Sequence, residues 1–119
     1  MKRVYVAGPY SAKDIISVLE NMKVGIRASV EVLLAGFAPF CPWIDYHFSF
    51  ATRDNEKITV DDYYNYGLAW LEVSDALLVL PNSENSKGVK MEIDLAKKKN
   101  IPIFYDLKIL KNYFKVGKV

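Results

Sequence analysis

Cysteine and histidine are scarce in this chain of 119 residues, which holds one of each, Cys41 and His47. One cysteine excludes an internal disulfide and a CxxC zinc site, and one histidine excludes a histidine-rich metal centre. A single unpaired thiol is typical of proteins in a reducing, cytoplasmic compartment. The sequence therefore predicts a protein without a metal or another cofactor, in which carboxylate and phenol groups carry any chemistry.

Long apolar runs are missing as well. No stretch reaches the roughly 18 consecutive apolar residues that cross a bilayer, and the opening MKRVYVAG lacks the apolar core and cleavage site of a signal peptide. The composition, 51% hydrophobic and 25% charged, is that of an ordinary globular protein and excludes a disordered or collagen-like chain. We therefore expect one domain over residues 1–119, with no membrane contact.

Charge is nearly balanced, at +2, but it is spread unevenly. Residues 1–85 hold 7 Lys and Arg against 11 Asp and Glu, whereas residues 86–119 hold 9 Lys against 3 Asp and Glu. A basic end is compatible with nucleic-acid binding. The lysines at 97–99, however, fall at the end of a predicted helix, where cations suit the carbonyl dipole. A solvated surface is therefore favoured, and nucleic acid is not an expected partner.

Strand and helix patterns alternate along the chain. A short Val- and Tyr-rich run ends at Gly8-Pro9, and a long helical period then ends at Gly36. A continuous apolar run over 75–80 is typical of a buried parallel strand. The order βαβαβαβα predicts an α/β fold, a flavodoxin-like or Rossmann-like doubly wound parallel sheet of four to five strands. The predicted strands are 2–7, 37–41, 75–80 and 101–105, and the predicted helices are 13–35, 59–73, 88–99 and 107–114.

Residues 42–58 show no sustained period and read as a long loop rich in aromatic residues. Its aromatic side chains, Trp43 and His47 among them, either stack on a substrate or cover the sheet edge or a partner. Asp45 or His47 could serve as an acid or a base. In a parallel sheet this loop joins Gly8–Lys13 and Pro81–Lys87 at the carboxyl ends of the strands, where ligands bind. None of these loops is a Walker A motif or a complete GxGxxG.

Glu92 lies beside the apolar face of the third predicted helix, next to Val89, Ile93 and Ala96 at 100° per residue. Carboxylates are rarely buried unless they are paired or functional. The alternatives are a catalytic group or a boundary glutamate that turns to solvent or accepts hydrogen bonds from the amides at the start of the helix. Tyr5, in the first strand, is either an ordinary core aromatic or a phenol that reaches the adjacent cleft.

Three segments resemble the nucleoside 2-deoxyribosyltransferase-like superfamily, which includes deoxynucleoside 5′-monophosphate N-glycosidases and small phage and bacterial members. They are YVAGPY at 5–10, AWLEVSD at 69–75 with its following strand, and SKGVKME at 86–92. The last matches the superfamily's Ser-x-Gly-x-x-x-Glu helix start. Together they span residues 4–105 in the expected order, and the set is specific for the superfamily rather than for one reaction.

The resemblance implies that Glu92 is the nucleophile that attacks the anomeric carbon of a deoxynucleoside, and that Tyr5 positions its carboxylate. It implies that Ser86 and Gly88 bind near the 5′ group of the sugar. It places Gly8, Pro9 and Tyr10 in the opposing loop, and the aromatic loop adds Trp43 and His47 as candidate substrate contacts. It also implies a homodimer or a larger homo-oligomer.

The implied activity is cleavage or base exchange at the N-glycosidic bond of a nucleoside or nucleotide. In this chain Gly67 stands where characterised members carry an aspartate that assists departure of the base, although Tyr63 and Tyr64, one turn earlier, could reach that space. Two alternatives follow. The chain is a nucleotide or nucleotide-sugar sensor that binds without turnover, or it is an interaction module that uses its aromatic loop and basic end.

Overall fold

Nine elements follow one another along residues 1–115, which are the residues that this computed structural model describes. The last four residues of the predicted domain, 116–119, lie outside them. The order agrees with the predicted alternation, with one additional helix. The elements are β1 (Arg3–Ala7), α1 (Ile15–Leu34), β2 (Ala38–Phe40), a 3₁₀ helix (Pro42–Ala51), α2 (Val60–Glu72), β3 (Ala76–Val79), α3 (Lys87–Lys98), β4 (Ile103–Phe104) and α4 (Leu107–Lys115).

The four strands form one parallel sheet in the order β2-β1-β3-β4. This confirms the doubly wound α/β fold. It also puts β1 beside β3, so the strand order reverses between these two strands. The edge strand β2 carries Pro39, whose missing N–H group is tolerated at an edge.

Alternation along β1 divides the core into two clusters. Val4 and Val6 point to one face of the sheet and pack in a cluster with residues of α1 and α4. Tyr5 and Ala7 point to the other face and pack in a cluster with residues of α2 and α3. Because successive strand side chains face opposite ways, Tyr5 lies beneath α3, the helix that carries Glu92.

Each of the first three α-helices begins at a side chain that caps it. Asp14 Oδ1 accepts a hydrogen bond from the Ser17 N–H at 2.8 Å, and Thr59 forms a capping box at the start of α2. Ser86 Oγ accepts from the Val89 N–H at 3.2 Å. Caps of this kind contribute about 1 kcal/mol each, and here they fix where the loops at the site give way to helices.

The prediction of a loop throughout 42–58 is wrong for its first part, because Pro42–Ala51 form a 3₁₀ helix. The segment is fixed by tertiary contacts rather than by an amphipathic period. Trp43 is 1% exposed and packs on Gly25 of α1, and its indole Nε1 donates to the Pro9 carbonyl at 2.9 Å. These contacts tie the 3₁₀ helix both to α1 and to the loop after β1.

Membrane-spanning helices are not found in the described part of the chain. None of its helices combines the length and the apolar character that crossing a bilayer requires.

Candidate active site

A cavity of about 770 Å³ opens at the carboxyl ends of the strands, where the strand order reverses between β1 and β3. Its walls come from the loop after β1, the 3₁₀ helix, α2 and the start of α3. A crevice at this point is the usual ligand site of open parallel sheets, and its volume suits a small molecule.

A phenol and a carboxylate meet in the wall of this cavity. The Tyr5 hydroxyl donates a hydrogen bond to Glu92 Oε2. Tyr5 is 1% exposed and held in the central strand, so the direction of this donor is fixed by the sheet. The bond joins residues 87 positions apart in the chain and defines one end of the site.

Burial and hydrogen bonding act in opposite directions on Glu92. Removal from water raises its pKa to about 7, and the hydrogen bond from Tyr5 opposes that rise. Burial, followed by the negative charge of Glu92, holds the pKa of Tyr5 well above its usual range. Tyr5 therefore stays protonated and remains a donor, while Glu92 changes charge close to neutral pH.

One oxygen of Glu92 is left for a ligand. Only Oε2 takes part in the hydrogen bonds found among residues 1–115, and no buried side-chain nitrogen or oxygen there lacks a partner. Oε1 forms none of these hydrogen bonds and is not a fully buried atom, so it remains accessible. Since Glu92 lines the cavity, this oxygen is free to contact a molecule held there.

A second phenol–carboxylate pair lies in the same cavity. The Tyr10 hydroxyl donates to Asp45 Oδ1 at 2.9 Å, and the Asp45 residue is only 8% exposed. Burial raises the pKa of Asp45 above the usual aspartate range, although the bond from Tyr10 opposes the rise. Sequence reasoning left Asp45 without a fixed position. The available signal was that both residues follow the carboxyl ends of neighbouring parallel strands.

The remaining predicted site residues divide into two groups. His47 is exposed, with its ring Nδ1 3.3 Å from the Ile44 carbonyl and its ring edge against Phe50, and it does not line the cavity. Trp43 does line it, but the ring is buried against Gly25 and its N–H is already used. The other predicted residues at the cavity wall are Gly8, Pro9, Tyr10, Ser86 and Gly88.

Tyrosines that sequence reasoning placed only loosely also reach the cavity. Tyr46, Tyr63 and Tyr64 line it, in addition to Tyr5 and Tyr10. Their rings offer flat apolar surface with a polar end, which suits an aromatic ligand. Helical spacing brings Tyr63 and Tyr64 to the wall from α2, whereas Tyr46 depends on the 3₁₀ helix.

Gly67 of α2 lies directly against the Tyr5 hydroxyl. A Cβ atom at this position would stand 2.7 Å from that oxygen, which is closer than such contacts occur. Because Tyr5 is locked in β1, it cannot withdraw without breaking its bond to Glu92. The position at which the resemblance expects an aspartate therefore has no room for any side chain.

We expect Gly67→Ala to destabilise the fold by about 1–3 kcal/mol, because an extra methyl group would overfill a packed site. Alanine otherwise favours a helix by up to about 1 kcal/mol, so a loss would be attributable to the clash. Gly88→Ala is the matched control, since its Cβ would lie an ordinary 3.4 Å from Tyr64. Equal thermal unfolding midpoints for the two variants would contradict the contact.

Glu92 should also make stability depend on pH. Its pKa is raised by folding, so the folded state favours the protonated form, and stability falls as the pH rises from about 4.5 towards 7. Glu92→Gln removes this titration while keeping an oxygen that accepts from Tyr5. Each pKa unit corresponds to about 1.4 kcal/mol. Urea unfolding at pH 5 and pH 8 should show the variant gaining on the wild type at pH 8, and a constant difference would contradict this prediction.

Side chains that ligate metal ions do not cluster in the described part of the chain. Within residues 1–115, no three His, Cys, Asp or Glu side chains come together as a metal ion would require. The polar groups that line the cavity include two carboxylates, five phenols and residues at the start of α3.

Comparison with known proteins gives one family. Residues 2–106 match the family described as Domain of unknown function (DUF7768). The chain belongs to this family. The DUF7768 match contains the whole cavity wall, so both phenol–carboxylate pairs lie within the family domain. No curated protein matches the sequence.

Proposed function

We propose that this DUF7768 chain cleaves or exchanges the N-glycosidic bond of a deoxynucleoside or its 5′-monophosphate, with Glu92 as the nucleophile. The observation that carries the proposal is the Tyr5–Glu92 hydrogen bond in the wall of the cavity. It agrees with the resemblance to the nucleoside 2-deoxyribosyltransferase-like superfamily, in which a glutamate at this helix start attacks the sugar.

The chemistry needs a carboxylate that is ionised and aimed. As the bond between C1′ and the base breaks, positive charge develops on the sugar ring, and a carboxylate oxygen can trap it as a glycosyl ester. Tyr5 holds one oxygen of Glu92 and leaves the other for C1′. With a pKa of about 7, a large fraction of Glu92 is ionised at neutral pH.

The rest of the cavity supports a nucleoside-sized ligand. Tyr46, Tyr63 and Tyr64 offer flat surfaces for a base on one side. Ser86 and Gly88 lie at the amino end of α3, where free N–H groups and the helix dipole favour an anionic or hydroxyl group of the sugar. Water or a second base would then take the sugar from Glu92.

The test is incubation of the purified chain with the common deoxynucleosides and their 5′-monophosphates, with free base separated by chromatography. Release that disappears in Glu92→Ala supports the proposal. No release from any substrate, or equal release by the variant, would overturn it. Ligand-dependent thermal stabilisation without product would instead identify the non-catalytic sensor, which the missing side chain at Gly67 favours.

We also propose that the chain acts in the cytoplasm as a homodimer or larger homo-oligomer. Helix α1 exposes an apolar stripe beside its buried face, with Ile16 67% and Leu34 77% exposed. A second copy would remove this surface from water. Sedimentation equilibrium of the wild-type chain measures the assembly, and a monomer at all concentrations would contradict it. The free thiol of Cys41 is compatible with a reducing compartment.

A further inference from the structure

We infer that Asp45 is a second catalytic residue of this site, the acid that gives its proton to the departing base. The inference rests on the proposed N-glycosidic chemistry and extends it, because the cavity holds a second carboxyl group that neither the superfamily resemblance nor the family match assigns. Four observations lead to it: the position of Asp45, the state of its two oxygens, the lack of another acid and the charges around it.

Asp45 is placed rigidly on the cavity wall. It lies in the 3₁₀ helix two residues after Trp43, whose buried indole is packed on Gly25 and bonded to the Pro9 carbonyl. Tyr10 holds Asp45 Oδ1 at 2.9 Å from the opposite loop. A proton donor must keep a fixed position relative to the reacting bond, and these contacts provide one.

The second oxygen of Asp45 is available. Within the described chain, Tyr10 supplies its one side-chain hydrogen bond, and no buried polar side-chain atom lacks a partner. Oδ2 forms no such bond and is not a fully buried atom, so it remains accessible, and Asp45 lines the cavity. The pair repeats the arrangement of Tyr5 and Glu92, with one oxygen held by a phenol and the other free.

No other acid of the described chain takes this place. Of the residues that line the cavity, Asp45 and Glu92 are the two that carry carboxyl groups. Asp62 is used in the capping box of α2, and Asp61 beside it is exposed. At Gly67 a side chain would collide with the Tyr5 hydroxyl, so α2 cannot supply the acid from there.

Asp45 lies among phenols and forms no ion pair within residues 1–115. Tyr10 donates a hydrogen bond to Asp45, and the negative charge of Asp45 raises the pKa of Tyr5 and of Tyr63 as well. All three phenols therefore lie near this carboxyl group. No cation pairs with it, because Arg27–Glu31 on α1 is the salt bridge that residues 1–115 form. Burial raises the pKa of Asp45 above its usual range, and the hydrogen bond from Tyr10 opposes the rise.

In the step we propose, a Glu92 carboxylate oxygen bonds to C1′ while the C1′–N bond breaks. The electron pair of the broken bond goes to the base, and the Asp45 carboxyl proton goes to a nitrogen or oxygen of that base, which leaves neutral. Asp45 is then a carboxylate. It takes a proton from the incoming water as the water oxygen attacks C1′, and the ester bond to Glu92 breaks, which restores both groups.

The experiment compares two substrates that differ in their need for an acid. 2′-Deoxyguanosine must be protonated as its base departs, whereas 7-methyl-2′-deoxyguanosine already carries the positive charge and releases a neutral base without a proton. Each is used with and without a 5′-phosphate. Asp45→Asn keeps an oxygen that accepts from Tyr10, and the exposed Asp61→Asn is the matched control.

Asp45→Asn should lower base release from 2′-deoxyguanosine about 100-fold or more and from the methylated substrate less than about threefold. Equal losses on both substrates, or no loss on either, would overturn the role of Asp45 while leaving the nucleophile intact. Glu92→Gln should lose both activities. If the wild type releases no base, or Glu92→Gln retains its activity, the proposed function itself fails and this inference fails with it.

A measurement on the wild type covers the case in which Asp45→Asn does not fold. The profile of base release against pH should fall on its alkaline side for 2′-deoxyguanosine, because Asp45 then loses its proton. At pH values where the methylated base keeps its N1 proton, and therefore its positive charge, the fall should be absent for the methylated substrate. The same alkaline fall for both substrates would overturn the inference without any variant.

Discussion

Glu92→Gln is expected to slow base release by roughly 1,000-fold or more, because a neutral amide can neither trap the developing sugar cation nor form the glycosyl ester. The substitution changes little else, since the amide oxygen still accepts from the Tyr5 hydroxyl. The measurement is the single-turnover rate of base release at pH 7, where a carboxyl group with a pKa of about 7 is about half ionised in the wild type.

Two comparisons make this result specific. Glu72→Gln, at the exposed end of α2, removes a carboxylate outside the cavity and should retain full activity. Tyr5→Phe removes the hydrogen bond that opposes the raised pKa of Glu92, so the rise of activity with pH should move to higher pH. A Glu92→Gln enzyme within tenfold of the wild type would contradict the nucleophilic role.

The largest effect on stability is expected at Gly25. A Cβ atom there would lie 2.2 Å from Cδ2 of the Trp43 ring, and the ring is 1% exposed, so it has no space to retreat into. We expect Gly25→Ala to cost about 3 kcal/mol, near the upper end for overpacking. In a domain of this size that corresponds to a fall of about 10 °C in the unfolding midpoint, measured by circular dichroism.

A double-variant cycle tests the contact itself. Trp43→Leu alone also destabilises the core, but in the Trp43→Leu/Gly25→Ala chain the clash is gone. The double variant should therefore lose less stability than the sum of the losses of the two single variants. Lys23→Ala, exposed on the same helix, should leave the midpoint unchanged. Strictly additive losses would show that the indole does not rest on α1 as described.

Much of the fold could be predicted because its signals are local. The β1 run ends at Gly8-Pro9, α1 ends before Gly36, and the apolar run of β3 is continuous, so each element carries its own period and its own stop. Alternation of strands and helices then permits few arrangements besides a parallel sheet. The position of β1 beside β3 comes from the structure, because alternation alone leaves the order of the strands open.

The 3₁₀ helix and the second pair could not be predicted in the same way. The residues at 42–51 have no helical period that could predict a helix. Their conformation is decided instead by Trp43, which lies on a glycine of a distant helix. Tyr10 and Asp45 are 35 residues apart and meet only once that packing exists. Helical spacing alone placed Glu92 beside an apolar face, but only the resemblance joined it to Tyr5.

The central place of β1 has a consequence for how the protein is made. Tyr5 leaves the ribosome well before two of its neighbours, because β3, on one side of it, and Glu92, its hydrogen-bond partner, are synthesised more than 70 residues later. A strand that must wait for such distant neighbours closes its contacts slowly. The wall that Tyr5 and Glu92 form is therefore completed late, and Glu92 acquires its altered environment only after α3 has emerged.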